Sequence, residues 1–124
     1  MKVRKVLVGS LCLATLALCT APRATQAPKM INITASRFAY DPKEITVNKG
    51  EEVTLLITST DVTHGLVIEA LGVSANDTKK GKTTAYTFNP GTVGTFQGKC
   101  SHFCGSGHGS MKLTVNVVEH GVAP

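Results

Sequence analysis

Near the end of the chain, Cys100, Cys104, His108 and Met111 are spaced as C-x3-C-x3-H-x2-M, within Cys-Ser-His-Phe-Cys-Gly-Ser-Gly-His-Gly-Ser-Met. Thiolate, imidazole and thioether together are the ligand set that selects copper, and the thioether argues against zinc. Methionine is neutral and soft, and it serves electron-transfer copper sites as a weak axial ligand. Gly105, Gly107 and Gly109 are expected to let the loop fold tightly, since glycine accepts backbone angles that other residues resist. Such a loop cannot surround a metal alone. A further imidazole comes from His64, in Ser59-Thr-Asp-Val-Thr-His64-Gly65, directly before the apolar stretch Leu66-Val-Ile-Glu-Ala-Leu71.

Other chemistries fit parts of this set. Two cysteines of an exported protein can form a disulfide, which leaves His108 and Met111 idle. Zinc on two cysteines and two histidines leaves Met111 unexplained. A mononuclear blue-copper site needs one Cys, two His and Met, so one cysteine becomes a spectator. A catalytic copper enzyme needs an open coordination position, and the sequence offers no second set of histidines for one. Around the core set, Asp61 is expected to order the His64 turn through backbone amides, as aspartate often does. His102 faces solvent or makes a hydrogen bond beside the metal. His120 falls in the last few residues, where order is usually low.

The elements that must position these residues read as β throughout. Apolar and polar residues alternate around Ile31–Ile33, Ile45–Val47, Val53–Ile57, Tyr86–Phe88 and Leu113–Val117, and Gly, Pro and Asn punctuate the runs. Period-two alternation with β-branched residues marks half-buried strands. With the apolar stretch Leu66–Leu71 and a strand over Gly91–Lys99, the count is about seven, which suits two packed sheets. No stretch after the N-terminal segment has a helical period. The loop before the last strand, Lys112–Val118, and the turn holding His64 then converge at one end of the sandwich. Two loops on a rigid scaffold keep a metal's geometry nearly constant between oxidation states, which keeps electron transfer fast.

Composition sets the compartment. Lys2, Arg4 and Lys5 precede an apolar run from Val6 to Cys19, the layout of a secretory signal. The run is short for a bilayer span, which takes roughly 20 apolar residues. The expected organisation is a signal peptide or N-terminal anchor over residues 1–24, a linker over 25–29 and one domain over 30–120. Cys12 and Cys19 fall in the first segment, and the bulky residues before Cys19 suit lipidation poorly. The formal charge of +5 includes those three N-terminal cations, so the remainder carries +2. The basic balance is largely a targeting feature and does not point to nucleic acid. Lys79-Lys80-Gly81-Lys82, the one local cluster, is expected to be a solvated turn.

Cys-Ser-x-x-Cys-Gly-x-x-His-x-x-Met, preceded by Asp61-Val-x-His64, resembles the CuA domain of cytochrome c oxidase subunit II and, more distantly, that of nitrous oxide reductase. Phe38-Ala-Tyr-Asp-Pro42 and Ile45-Thr-Val-Asn-Lys-Gly50 are similar to cupredoxin openings. The resemblance covers about Met30 to Glu119 and implies an all-β, Greek-key cupredoxin sandwich. It implies two copper ions bridged by Cys100 and Cys104. His64 and His108 each bind one ion, Met111 is a weak ligand, and the His102 backbone carbonyl is the remaining donor. The implied role is electron transfer outside the cytoplasm, between partners such as a cytochrome and a terminal oxidase. A periplasmic copper chaperone and a mononuclear blue-copper carrier are the alternatives. The chain departs from the oxidase pattern at three points. His102 stands where Glu is typical, the chain has no Trp, and one short apolar segment stands in place of two transmembrane helices. A freestanding carrier is thus implied as readily as an oxidase component, and in neither case is the chain expected to be an enzyme by itself.

Overall fold

Alternating apolar and polar side chains commit the chain to strands that turn one edge inward. In the computed structural model, which describes residues 26–121, the strands are β1 Lys29–Ser36, β2 Ala39–Asp41, β3 Glu44–Asn48, β4 Val53–Ser59, β5 His64–Ile68, β6 Val73–Thr78, β7 Thr83–Phe88, β8 Gly94–Lys99 and β9 Lys112–Val118. In β1, Ile33 and Ala35 point inward while Asn32 and Thr34 face solvent. In β9, Leu113, Val115 and Val117 point inward. The N-terminal signal or anchor segment, with Cys12 and Cys19, lies outside the described residues.

Two sheets result, ordered β2-β1-β4-β7 and β3-β9-β8-β5-β6. β1 runs parallel to β4 from Lys29↔Val53 to Ala35↔Ser59, and β3 runs parallel to β9. The remaining pairs are antiparallel. Between the sheets lie Ile33, Val53, Leu55, Ile57, Tyr86 and Phe88 from one side and Val47, Leu66, Ile68, Leu113, Val115 and Val117 from the other. Each fully buried aliphatic side chain of this kind contributes about 1.5–3 kcal/mol.

Nine strands stand where about seven are expected, and the two additions have clear reasons. β2 is only three residues long and buries only Tyr40, too little to show a period. β6, Val-Ser-Ala-Asn-Asp-Thr, buries only its two ends and pairs as an edge with β5. The strand expected over Leu66–Leu71 stops at Ile68. Glu69–Leu71 form a 3-10 turn, and Gly72 takes the left-handed conformation (φ 71) that reverses the chain.

The strand directions bring the chemistry together. β5 and β9 begin, and β1, β4, β6 and β8 finish, at the same end of the sandwich. That end carries the loop 100–111, the turn before His64, the β1–β2 corner and the β6–β7 turn.

Candidate metal centre

Two sulfurs form the middle of the site. Cys100 and Cys104 are both buried and unbridged, with their Sγ atoms 3.8 Å apart. A disulfide needs about 2.05 Å, so the pair is a dithiol here. The loop that carries them is closed at its neck, where the Cys100 amide donates to the Met111 carbonyl at 3.2 Å and Lys99 pairs with Lys112.

Each sulfur has its own imidazole. His64, fully buried at the start of β5, brings Nδ1 to 3.9 Å from the Cys100 Sγ. His108, on the short 3-10 turn His108–Ser110, brings Nδ1 to 3.9 Å from the Cys104 Sγ. Each sulfur also has a weaker donor nearby. The His102 carbonyl lies 3.2 Å from the Cys100 Sγ, and the buried Met111 Sδ lies 3.9 Å from the Cys104 Sγ. His64, Cys100 and Cys104 alone bring their ligand atoms within 4.8 Å of one another. The structure thus brings the six expected donors near one another, from two loops some 36 positions apart.

Asp61 fixes the orientation of His64. Its Oδ1 accepts from His64 Nε2 at 2.7 Å and from the Val62 amide at 2.7 Å, and its Oδ2 accepts from the Arg37 amide at 2.7 Å. With Nε2–H given to the carboxylate, Nδ1 keeps a free lone pair facing the sulfurs, the arrangement of carboxylate-supported metal histidines. Desolvation pushes the Asp61 carboxyl upward, but the Arg37 amide, the His64 ring and the Val62 amide outweigh it and hold the group down at about 2. Burial first, then the adjacent Cys100 sulfur, push the Cys104 thiol up to about 11. Near neutral pH, a buried thiol beside another gives up its proton when a cation arrives to share the charge.

The surrounding loop is held by contacts that the sequence does not announce. The Arg37 Nε donates to the Cys104 carbonyl at 3.0 Å, from the β1–β2 corner. The buried Tyr40 hydroxyl donates to the Gly65 carbonyl, and burial followed by the nearby Cys100 sulfur raises its pKa well above the ordinary phenol value. Phe38 lies under the loop: a Cβ on Gly107 would come within 2.3 Å of its ring. Of the three loop glycines, only Gly105 (φ +135) needs its freedom of backbone, while Gly107 is glycine for space and Gly109 meets nothing within 4 Å. Gly65 is similarly tight, since a Cβ there would meet the Ser101 Oγ at 2.2 Å. His102 turns out half exposed, its Nδ1 3.0 Å from the Asp77 Oδ2 on β6.

The donor set suits copper. Two thiols, two imidazoles, a thioether and a carbonyl are soft and borderline donors in one pocket. Donors bound tetrahedrally at roughly 2.0–2.3 Å stand roughly 3.3–3.8 Å apart. The Sγ–Sγ distance of 3.8 Å meets that spacing, and the sulfur–imidazole distances of 3.9 Å are close to it.

A profile described as the periplasmic domain of cytochrome c oxidase subunit II matches residues 26–118. The chain belongs to this family. Cytochrome c oxidase subunit 2 of Thermus thermophilus is 34% identical over 91 residues, which cover 72% of this chain and 65% of that protein. The chain therefore spans less than two thirds of that relative's length. The solved periplasmic domain of subunit II of cytochrome oxidase (CoxB) of Bradyrhizobium japonicum superposes with a TM-score of 0.68 at 22% identity, covering 79% of this chain and 89% of that one. Auracyanin A, a blue copper protein of Chloroflexus aurantiacus, superposes with a TM-score of 0.61 at 19% identity, covering 74% of this chain and 100% of its own. These two structures place the subunit II domain described here among cupredoxin-type sandwiches. Membership in the subunit II family implies an extracytoplasmic location and, with the donor set, supports copper as the metal bound. No helix of the described residues is long and apolar enough to cross a membrane.

Proposed function

We propose that the domain is an electron-transfer module holding two copper ions between Cys100 and Cys104. His64 and His108 bind one ion each, and Met111 and the His102 carbonyl complete the set. The observation that carries this reading is the doubled donor arrangement. Each of two sulfurs 3.8 Å apart has its own imidazole at 3.9 Å and its own weak donor. A mononuclear site would leave one half of that arrangement without a task.

Bound copper supplies one-electron redox chemistry, with the charge change spread over two metals and two sulfurs. The protein's part is to hold still. His64 is clamped by Asp61, Met111 is closed into the neck of the loop, and the sandwich excludes water from both thiols. Donors that do not move between redox states cost little reorganisation, which suits a relay. The domain takes single electrons from a redox protein such as a cytochrome and passes them to a terminal oxidase. It does so as a freestanding carrier or as a subunit II-type component, either anchored through its N-terminus or released by cleavage.

The test is to load the protein with copper, count metal per chain and record the electron paramagnetic resonance spectrum. Two coppers per chain and an electron shared over two nuclei support the reading. One copper with a signal confined to one nucleus refutes it in favour of a blue-copper carrier. Copper that leaves at once for a weak chelator points instead to metal delivery.

A further inference from the structure

We infer that the metal end of the sandwich is a docking face for an acidic electron-transfer protein, with Phe103 at its centre. This inference rests on the electron-transfer reading above and adds the chemistry of the partner.

Phe103 is 74% exposed, although it sits between two residues of the metal loop and its ring leans on His108 at 5.6 Å between centroids. The other large exposed apolar residues among those described, Met30 and Val93, lie toward the opposite end. An aromatic ring presented to solvent directly above a buried redox site is poorly explained by folding, and such residues concentrate at the cores of protein interfaces. It borders a shallow dish whose lining includes Arg37, Val62 and Gly105.

The charges around it are sorted by position. Arg37 stands on one flank, tied to the Cys104 carbonyl. On the other flank, Lys79, Lys80 and Lys82 form the β6–β7 turn. Thr78, just before it, pairs with His64, and the turn itself is hydrogen-bonded to Ser59. Lys99 and Lys112 flank the loop where it leaves and rejoins the sheet. All six are exposed. The carboxylates toward this end are fewer than the cations: Asp61 and Asp77, each hydrogen-bonded to a histidine, and Asp41 and Glu44 on β2 and β3, set against these six and Lys43. At the far end lie Glu51, Glu52, Glu69 and Glu119, against Lys29 and Lys49. A domain with little net charge is thus polarised along its length, positive at the metal.

Such a field draws an acidic partner to the metal end and turns a basic one away. An aromatic centre with a cationic rim matches a partner whose redox edge is apolar and ringed by Asp and Glu. The solvated turn expected at Lys79–Lys82 is indeed a turn, and its place beside the metal loop gives its charge a use.

The test titrates the isotope-labelled full chain, both metal-free and copper-loaded, with cytochrome b5, whose haem edge is ringed by carboxylates. The basic mitochondrial cytochrome c serves as the comparison. Backbone amide shifts and affinities are recorded at low and high salt. The expected result is shifts at residues 37, 79–82 and 102–105 with cytochrome b5. Affinity falls roughly tenfold or more on adding salt, and by a similar factor in Lys79→Glu/Lys80→Glu/Lys82→Glu. Phe103→Ala weakens binding and leaves the salt dependence in place. Tighter binding of cytochrome c, indifference to the triple reversal, or shifts centred on Glu51, Glu52 and Glu69 would overturn the inference. Docking needs only the protein surface, so the two readings fail separately. Salt-sensitive docking without a shared-electron copper signal counts against the binuclear centre and upholds the face. A normal copper signal without such docking does the reverse.

Discussion

Replacing Asp61 by Asn tests whether one carboxylate governs the metal site from outside it. In the native protein that carboxylate accepts three hydrogen bonds of 2.7 Å, from His64 Nε2, the Arg37 amide and the Val62 amide. Asn keeps one accepting oxygen and turns an NH2 toward donors that it cannot satisfy. A hydrogen bond to a charged group contributes about 1.5–3 kcal/mol, and a third of this side chain is exposed, which places the loss near the lower end of that range. The ring of His64 also loses the partner that fixes which nitrogen faces the sulfurs. Removing a carboxylate of this kind typically lowers metal affinity about 10- to 100-fold. The assay is copper affinity by competition with a chelator, alongside denaturant unfolding of the metal-free chain. Affinity within twofold of the native value, with stability reduced as expected, would refute the orienting role and leave Asp61 as a turn-former only. The same geometry has a pH signature. The folded carboxyl titrates at about 2 against an ordinary 3.8, so its stabilisation is present above about pH 4 and is lost as pH falls toward 2. In Asp61→Asn, that part of the acid transition disappears.

Copper loading at neutral pH is expected to release protons, because Cys104 holds its own up to about pH 11, and an indicator dye in weak buffer measures the release. The same raised value means that the metal-free chain loses stability as pH climbs from the ordinary 9.0 toward 11, which denaturant midpoints across that range will follow. Gly107→Ala is expected to lower stability by about 1–3 kcal/mol and loosen copper, because its Cβ would enter the Phe38 ring. Gly109→Ala, with open space around it, is its near-neutral control in the same thermal melts. Met111→Leu nearly conserves volume in a buried position, so it should cost less than about 1.5 kcal/mol of stability while shifting the reduction potential of the loaded protein.

The sandwich was legible where side chains alternate, as in β1, β4 and β9, because inward and outward faces are written directly into the residue order. It was illegible at β6, whose four central residues are all exposed and whose strand conformation is set by pairing with β5. The metal loop could be read because its ligands are local and chemically distinctive. His64 could be read because an Asp-Val-x-His turn precedes an apolar strand. Arg37, Phe38 and Tyr40 could not be placed at the site, although Phe38 and Tyr40 belong to a stretch similar to a cupredoxin opening. They reach the site across the β1–β2 corner, and only the fold brings residues 67 positions apart, such as Arg37 and Cys104, into contact. The glycines show the same limit. A sequence tells that Gly107 lacks a side chain, but only the ring beneath it tells why.

The closed neck of the loop has a consequence for how such a protein can change. Because the Cys100 amide and Met111 carbonyl seal residues 100–111 where β8 meets β9, the sheet behind them reads as an uninterrupted hairpin whatever the loop contains. The loop behaves as a cartridge in a fixed socket, with His64 supplied by the socket. Its fit depends on few parts of the housing, chiefly the Phe38 ring and the bare backbone at Gly65. Loops of other lengths and ligand sets that respect those two surfaces are expected to leave the sandwich behind them unchanged.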